Sequence, residues 1–199
     1  DRASLQNLTL TGGLTGLHQD HQPSFYAENV VVQDTSGIGV RVRVGDARFR
    51  WLTVRNAGGT GMHVVRGASA LMSNSQILDS AGVGISVAGN SLVNLSGTTV
   101  LRSGGQGILV VESSQATASQ VTNADGSTTP STISDNALSG VELQSGSLGI
   151  VRDSVISTNG ARGLLVRQGS QVQVSGSSVS GNGSSGITLE SGSHGSLYS

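Results

Sequence analysis

Six of the eleven arginines in this chain, Arg41, Arg43, Arg48, Arg50, Arg55 and Arg66, fall within residues 41–66. A guanidinium offers a planar fork of N–H donors that matches a carboxylate or sulfate, so such a cluster suits an anionic ligand. His63 follows Arg41 by one repeat, and Trp51 and Tyr26 are close in sequence, where an aromatic face can lie against a sugar ring. Arg41, Arg43, Arg48, Arg50, Trp51 and His63 are therefore the candidate binding residues for an acidic saccharide. The competing reading is a solvated face whose arginine stems cover apolar surface.

Two other groups invite metal chemistry. His18-Gln19-Asp20-His21 places two imidazoles and a carboxylate within four residues, in what reads as the first loop. His18 and His21 could ligate a metal, but no distant third ligand is evident, and a solvated loop also explains them. Asp34, Asn56, Asp79 and Asp135 recur at equivalent corners, with Arg102 breaking the series. Asp34 and Asp79 could hold calcium, although that ion takes six or more oxygens and turn-forming Asp and Asn need no metal. No cofactor is expected beyond that calcium reading. No nucleophile elbow, phosphate loop or dinucleotide fingerprint occurs, so no catalytic residue is assigned.

The elements that would position these residues follow from a repeat. Gly16, Gly39, Gly61, Gly84, Gly107, Gly140, Gly163 and Gly186 are separated by 23, 22, 23, 23, 33, 23 and 23 residues. Each is followed by an aliphatic or methionine side chain, from Leu17 and Val40 to Ile187, and two residues later by a second apolar ladder from Val42 to Leu189. A third ladder, Val32, Val54, Ile77, Val100, Ile133, Ile156 and Val179, precedes each glycine by seven residues. Strict alternation, as in GVRVRV at 39–44, marks strands, while Gly and Asn clusters mark the corners. Fixed-period similarity of this kind is the signature of a solenoid. The single long interval contains an insertion, residues 121–130, which leaves at a corner. Val65, Ala88, Leu109 and Val111 should form an outward apolar strip in the middle coils, and this insertion is expected to fold over it.

The segments VRNAGGTGMHV (54–64), ISDNALSGVEL (133–143), ISTNGARGLLV (156–166) and VSGNGSSGITL (179–189) resemble the right-handed parallel β-helix repeats of the pectin-lyase-like superfamily. The resemblance implies an all-β, right-handed parallel β-helix of about eight coils, ~23 residues per coil, as one domain over 1–199. That superfamily includes pectate lyases, polygalacturonases, alginate epimerases, phage tailspikes and adhesins. The Asp-Asp pair with Gly-His-Gly of polygalacturonases and the Asp-Pro-His of alginate epimerases are both missing here.

Composition narrows the partners. The net charge of −1 makes nucleic acid an unpromising ligand, and there are no cysteines and 30 glycines. The longest apolar run is far too short to span a bilayer. Neither end reads as a capping repeat, so the chain is expected to be a segment of a longer protein, or to associate end to end with other copies or domains. The expected function is a non-catalytic, structural or adhesive rod, extracellular or on the surface of a bacterial cell, whose partners would be polysaccharide or other surface proteins. The alternative is a polysaccharide lyase or epimerase acting on an acidic polymer.

Overall fold

The computed structural model describes residues 3–21 and 23–198; Asp1, Arg2, Gln22 and Ser199 lie outside them, and with them part of what the sequence suggests about the two ends. The described residues contain strands, turns and bends and no helix. A coil contributes three strands, such as Ile38–Arg43, Asp46–Arg50 and Thr53–Arg55. Strands of the first kind stack in parallel, one per coil, into an eight-stranded sheet. The other two kinds make a fifteen-stranded sheet, joined through the long strand Ser24–Gln33. Its first half pairs with Asp46–Arg50 and its second half with Thr53–Arg55.

The three apolar ladders all point inward. Val40, Met62, Ile85, Ile108, Val141 and Leu164 are in register and buried, as are Val42, Val64, Val87 and Val110. Val54, Ile77, Val100, Ile133 and Ile156 complete the core. The recurring glycine has a steric cause rather than a torsional one. A Cβ on Gly107 would sit 2.6 Å from Ile133 Cγ2 and 2.7 Å from the Gly140 carbonyl oxygen of the next coil. Polar ladders finish the interior. Asn136 Nδ2 donates to Asn159 Oδ1 at 2.9 Å, and Asn159 Nδ2 donates to Asn182 Oδ1 at 3.0 Å.

The corners are built from left-handed residues. After the first strand come pairs with positive φ, among them Val44 with Gly45, Arg66 with Gly67, and Glu112 with Ser113. After the second strand comes one such residue: Asn29, Trp51, Asn74, Gly97, Asp153 or Gly176. After the third comes Asp34, Asn56, Asp79, Arg102, Asp135, Thr158 or Gly181. Gly, Asn and Asp accept this backbone readily, whereas Trp51, Arg102 and Thr158 do so against their preference.

The insertion is an antiparallel hairpin, Val121–Thr122 against Thr128–Thr129, closed by an Asp125 carboxylate that accepts from the Ser127 amide and hydroxyl. It does not cover the strip containing Leu109 and Val111. It leaves after Gln115–Ser119, one corner beyond Glu112 and Ser113, and so faces Trp51, Asn74 and Gly97 instead. In the last coil Leu189, Leu197 and Tyr198 are exposed.

Candidate functional site

On the eight-stranded sheet, alternation sends Val40 and Val42 into the core and Arg41 and Arg43 outward. His18, Arg41, His63 and Ser86 stand in register across four coils. Arg66 and Glu112 reach the same surface from the left-handed turns, and the result is a cleft of about 420 Å³ floored by Val65 and Ala88. Arg43 Nη1 bonds Asp20 Oδ2 at 3.2 Å. The Arg41 and Arg66 side chains have no ion pair or hydrogen bond among the described residues, and Arg41 Nε is buried without an acceptor. Burial, and then the Arg41 charge, hold His63 below the ordinary histidine range, which favours the neutral imidazole.

The sequence suggested one arginine patch; the structure divides it. Val44 and Gly45 turn the chain between Arg43 and Asp46, which puts Arg48 and Arg50 on the fifteen-stranded sheet and Trp51 at the corner that follows. There Ala47 and Phe49 point inward, and Arg48 lies in register with Tyr26 and Leu71. The Arg50 guanidinium carbon sits 4.0 Å from the centre of the Trp51 ring, and its Nη1 is 3.8 Å from Glu28 Oε1.

The metal candidates are placed apart. His18-Gln19-Asp20 is strand rather than loop, because Gln19 takes the inward position of the second ladder, opposite Val42. His18 therefore points outward beside Arg41, while His21 Nδ1 contacts Asp20 Oδ1 at 2.7 Å. Asp34 accepts from Asn56 Nδ2 at 2.9 Å. Asp79 accepts two bonds from Arg102, which hold its carboxyl below the usual range. Asp135 is likewise lowered by Thr158 and then Ser134. Donors thus alternate with carboxylates along this corner, and the described residues contain no group of three His, Cys, Asp or Glu that could hold a metal ion.

One cluster was not apparent from sequence. Glu142 occupies an outward strand position yet is buried. Arg167 Nη2 and Gln144 Nε2 reach its Oε1, each at 2.6 Å, and Gln106 Nε2 reaches Oε2 at 2.7 Å. Only the knowledge that residues 25 and 36 apart meet diagonally across the coils would have revealed it.

The sequence profile of the family described as "Right handed beta helix region" matches residues 15–129 and 123–199. No curated protein matches the chain by sequence. Among solved structures, pectate lyase Pel9A superposes with a TM-score of 0.67 at 13% identity, over 88% of this chain and 54% of its own. The A-module of the Azotobacter vinelandii mannuronan C-5 epimerase AlgE4 gives 0.61 at 14% identity, over 88% and 60%. The periplasmic alginate epimerase AlgG gives 0.60 at 13%, over 87% and 46%. The chain spans less than two thirds of each of these structures, and identities this low speak to the fold alone.

Proposed function

Since the chain belongs to the right-handed β-helix family, we propose that it serves as a non-catalytic rod that binds an acidic polysaccharide through the Arg41–Arg43–His63–Arg66 cleft. The observation that carries this reading is the pair of guanidinium groups, Arg41 and Arg66, that have no carboxylate partner of their own in that cleft. A carboxylate entering the cleft would supply acceptors and the opposite charge to these two guanidinium groups. The solved structures with this fold are described as acting on pectate, mannuronan and alginate, all polymers of sugar acids, which agrees with that ligand class. An extracellular or cell-surface location fits the same role.

A second reading, a lyase or epimerase, rests on His63. A neutral imidazole beside guanidinium groups is suited to take the proton next to a substrate carboxylate. Incubation with pectate and with alginate, with and without calcium, separates the two. The rod should bind in a saturable, salt-sensitive way, form no unsaturated product and leave uronate stereochemistry unchanged. Replacing Arg41, Arg43 and Arg66 by Gln should remove the binding that belongs to this cleft. Turnover that disappears in His63→Gln would overturn the non-catalytic reading.

A further inference from the structure

We infer that the outer face of the fifteen-stranded sheet holds a second glycan site, in which Trp51 and the 121–130 hairpin flank an extended acidic oligosaccharide. The inference deepens the proposed function by sharing its ligand class, but it rests on different residues and a different face.

A trench of about 490 Å³ runs along the rod there. Its first row is Tyr26, Arg48, Leu71, Asn94 and Thr117, one from each of five successive coils. Four steps of ~4.8 Å give about 19 Å, the reach of an extended chain rather than one ring. The neighbouring row, after Arg50, is Ser73, Ser96 and Ser119, whose small side chains keep that side of the floor low. Beyond them a second cleft, sharing Arg50 and Ser73 with the trench, is bounded by Trp51 and hairpin residues 121–124.

Trp51 is the residue that folding alone does not explain. Its corner is occupied by Asn29, Asn74 and Gly97 in adjacent coils, residues suited to left-handed backbone, yet Trp51 has φ 52° there. Core burial does not compensate, because the side chain is 44% exposed. Its indole instead stacks against Arg50 and faces the cleft it shares with the hairpin. Indole and phenol faces suit sugar rings, the hydroxyls and Asn94 suit sugar hydroxyls, and the Arg48 side chain, with no ion pair or hydrogen bond among the described residues, supplies the charge for a carboxylate.

Trp51 is the only tryptophan, so its fluorescence reports on this face alone. Oligogalacturonate should shift the emission in a saturable way, whereas a neutral oligosaccharide of equal length should not. The response should survive Arg41→Gln/Arg43→Gln. In that background, calorimetry should show affinity falling about ten-fold in Arg48→Gln and in Trp51→Asn, the latter installing the residue of the adjacent coils. An unchanged emission with oligogalacturonate overturns the second site while leaving the Arg41 cleft untouched. An equal response to the neutral oligomer, a response lost with Arg41 and Arg43, or full affinity in Arg48→Gln and Trp51→Asn also overturns it. Absence of any calorimetric binding to the unaltered chain would overturn this site and the proposed function together.

Discussion

Arg102 lies one coil beyond Asp79 at the same corner, and its Nε and Nη2 donate to the two carboxylate oxygens at 2.6 and 2.9 Å. Both residues are left-handed, with φ of 54° and 53°. The corner therefore exchanges a backbone preference for a bidentate pair, and the Asn56–Asp34 and Thr158–Asp135 bonds repeat the scheme along the rod.

That pair is exposed, so Arg102→Ala should cost no more than about 1 kcal/mol at neutral pH. Arg102→Gly should cost less than Arg102→Ala, because glycine relieves the left-handed backbone. Because Arg102 lowers the Asp79 pKa, the pair's contribution is present above the ordinary carboxylate range and is lost as pH falls through the lowered folded value. Urea unfolding of both variants at neutral and acid pH checks this; identical acid sensitivity in Arg102→Ala and the parent chain would count against it.

Gly107→Ala should destabilise the rod by about 1–3 kcal/mol, since the added methyl meets a carbonyl of the next coil that cannot rotate away. Ile108→Ala, at the next position on the core ladder, should cost on the order of 2–5 kcal/mol. Denaturant midpoints measure both. A neutral Gly107→Ala would mean that coil spacing is looser than the ladder implies.

Asn159 accepts from the Asn136 amide and side chain and donates onward to Ile133. Asn159→Ala leaves those buried groups unpartnered and should cost about 1–3 kcal/mol. Because Asn182 also loses a donor, the damage should extend to the neighbouring coil, which hydrogen exchange of the Asn136 and Asn159 amides would register.

His63 links pH to both stability and binding. The folded chain protonates it at lower pH than the unfolded chain does, so stability should fall as pH drops from about 6.5 toward the folded value. His63→Gln should flatten that slope. A bound carboxylate favours the imidazolium, so affinity for oligogalacturonate should rise as pH falls through the same window. Affinity that weakens there would place the anion elsewhere.

The period, the inward ladders and the coil count were legible because strand alternation and glycine spacing are local patterns written directly into the chain. Val40, Met62, Ile85 and Ile108 needed nothing more than their spacing. That Arg41 and Arg43 lie on one strand and Arg48 and Arg50 on the next was legible, but not that they face apart, because Val44, a β-branched residue, gives no sign that it will adopt a left-handed turn. Gln19 was misplaced for a related reason: a polar residue at an inward position hid the strand that contains His18 and Asp20. Glu142 stayed hidden because two of its three partners, Gln106 and Arg167, lie on other coils.

The most direct test of the Arg41 cleft is a crystal structure of the chain with oligogalacturonate. A uronate carboxylate should lie within hydrogen-bond distance of the Arg41 and Arg66 guanidinium groups, with His63 beside it. Sugar bound only at other surfaces, with Arg41 and Arg66 still unpartnered, would contradict the cleft as the binding site.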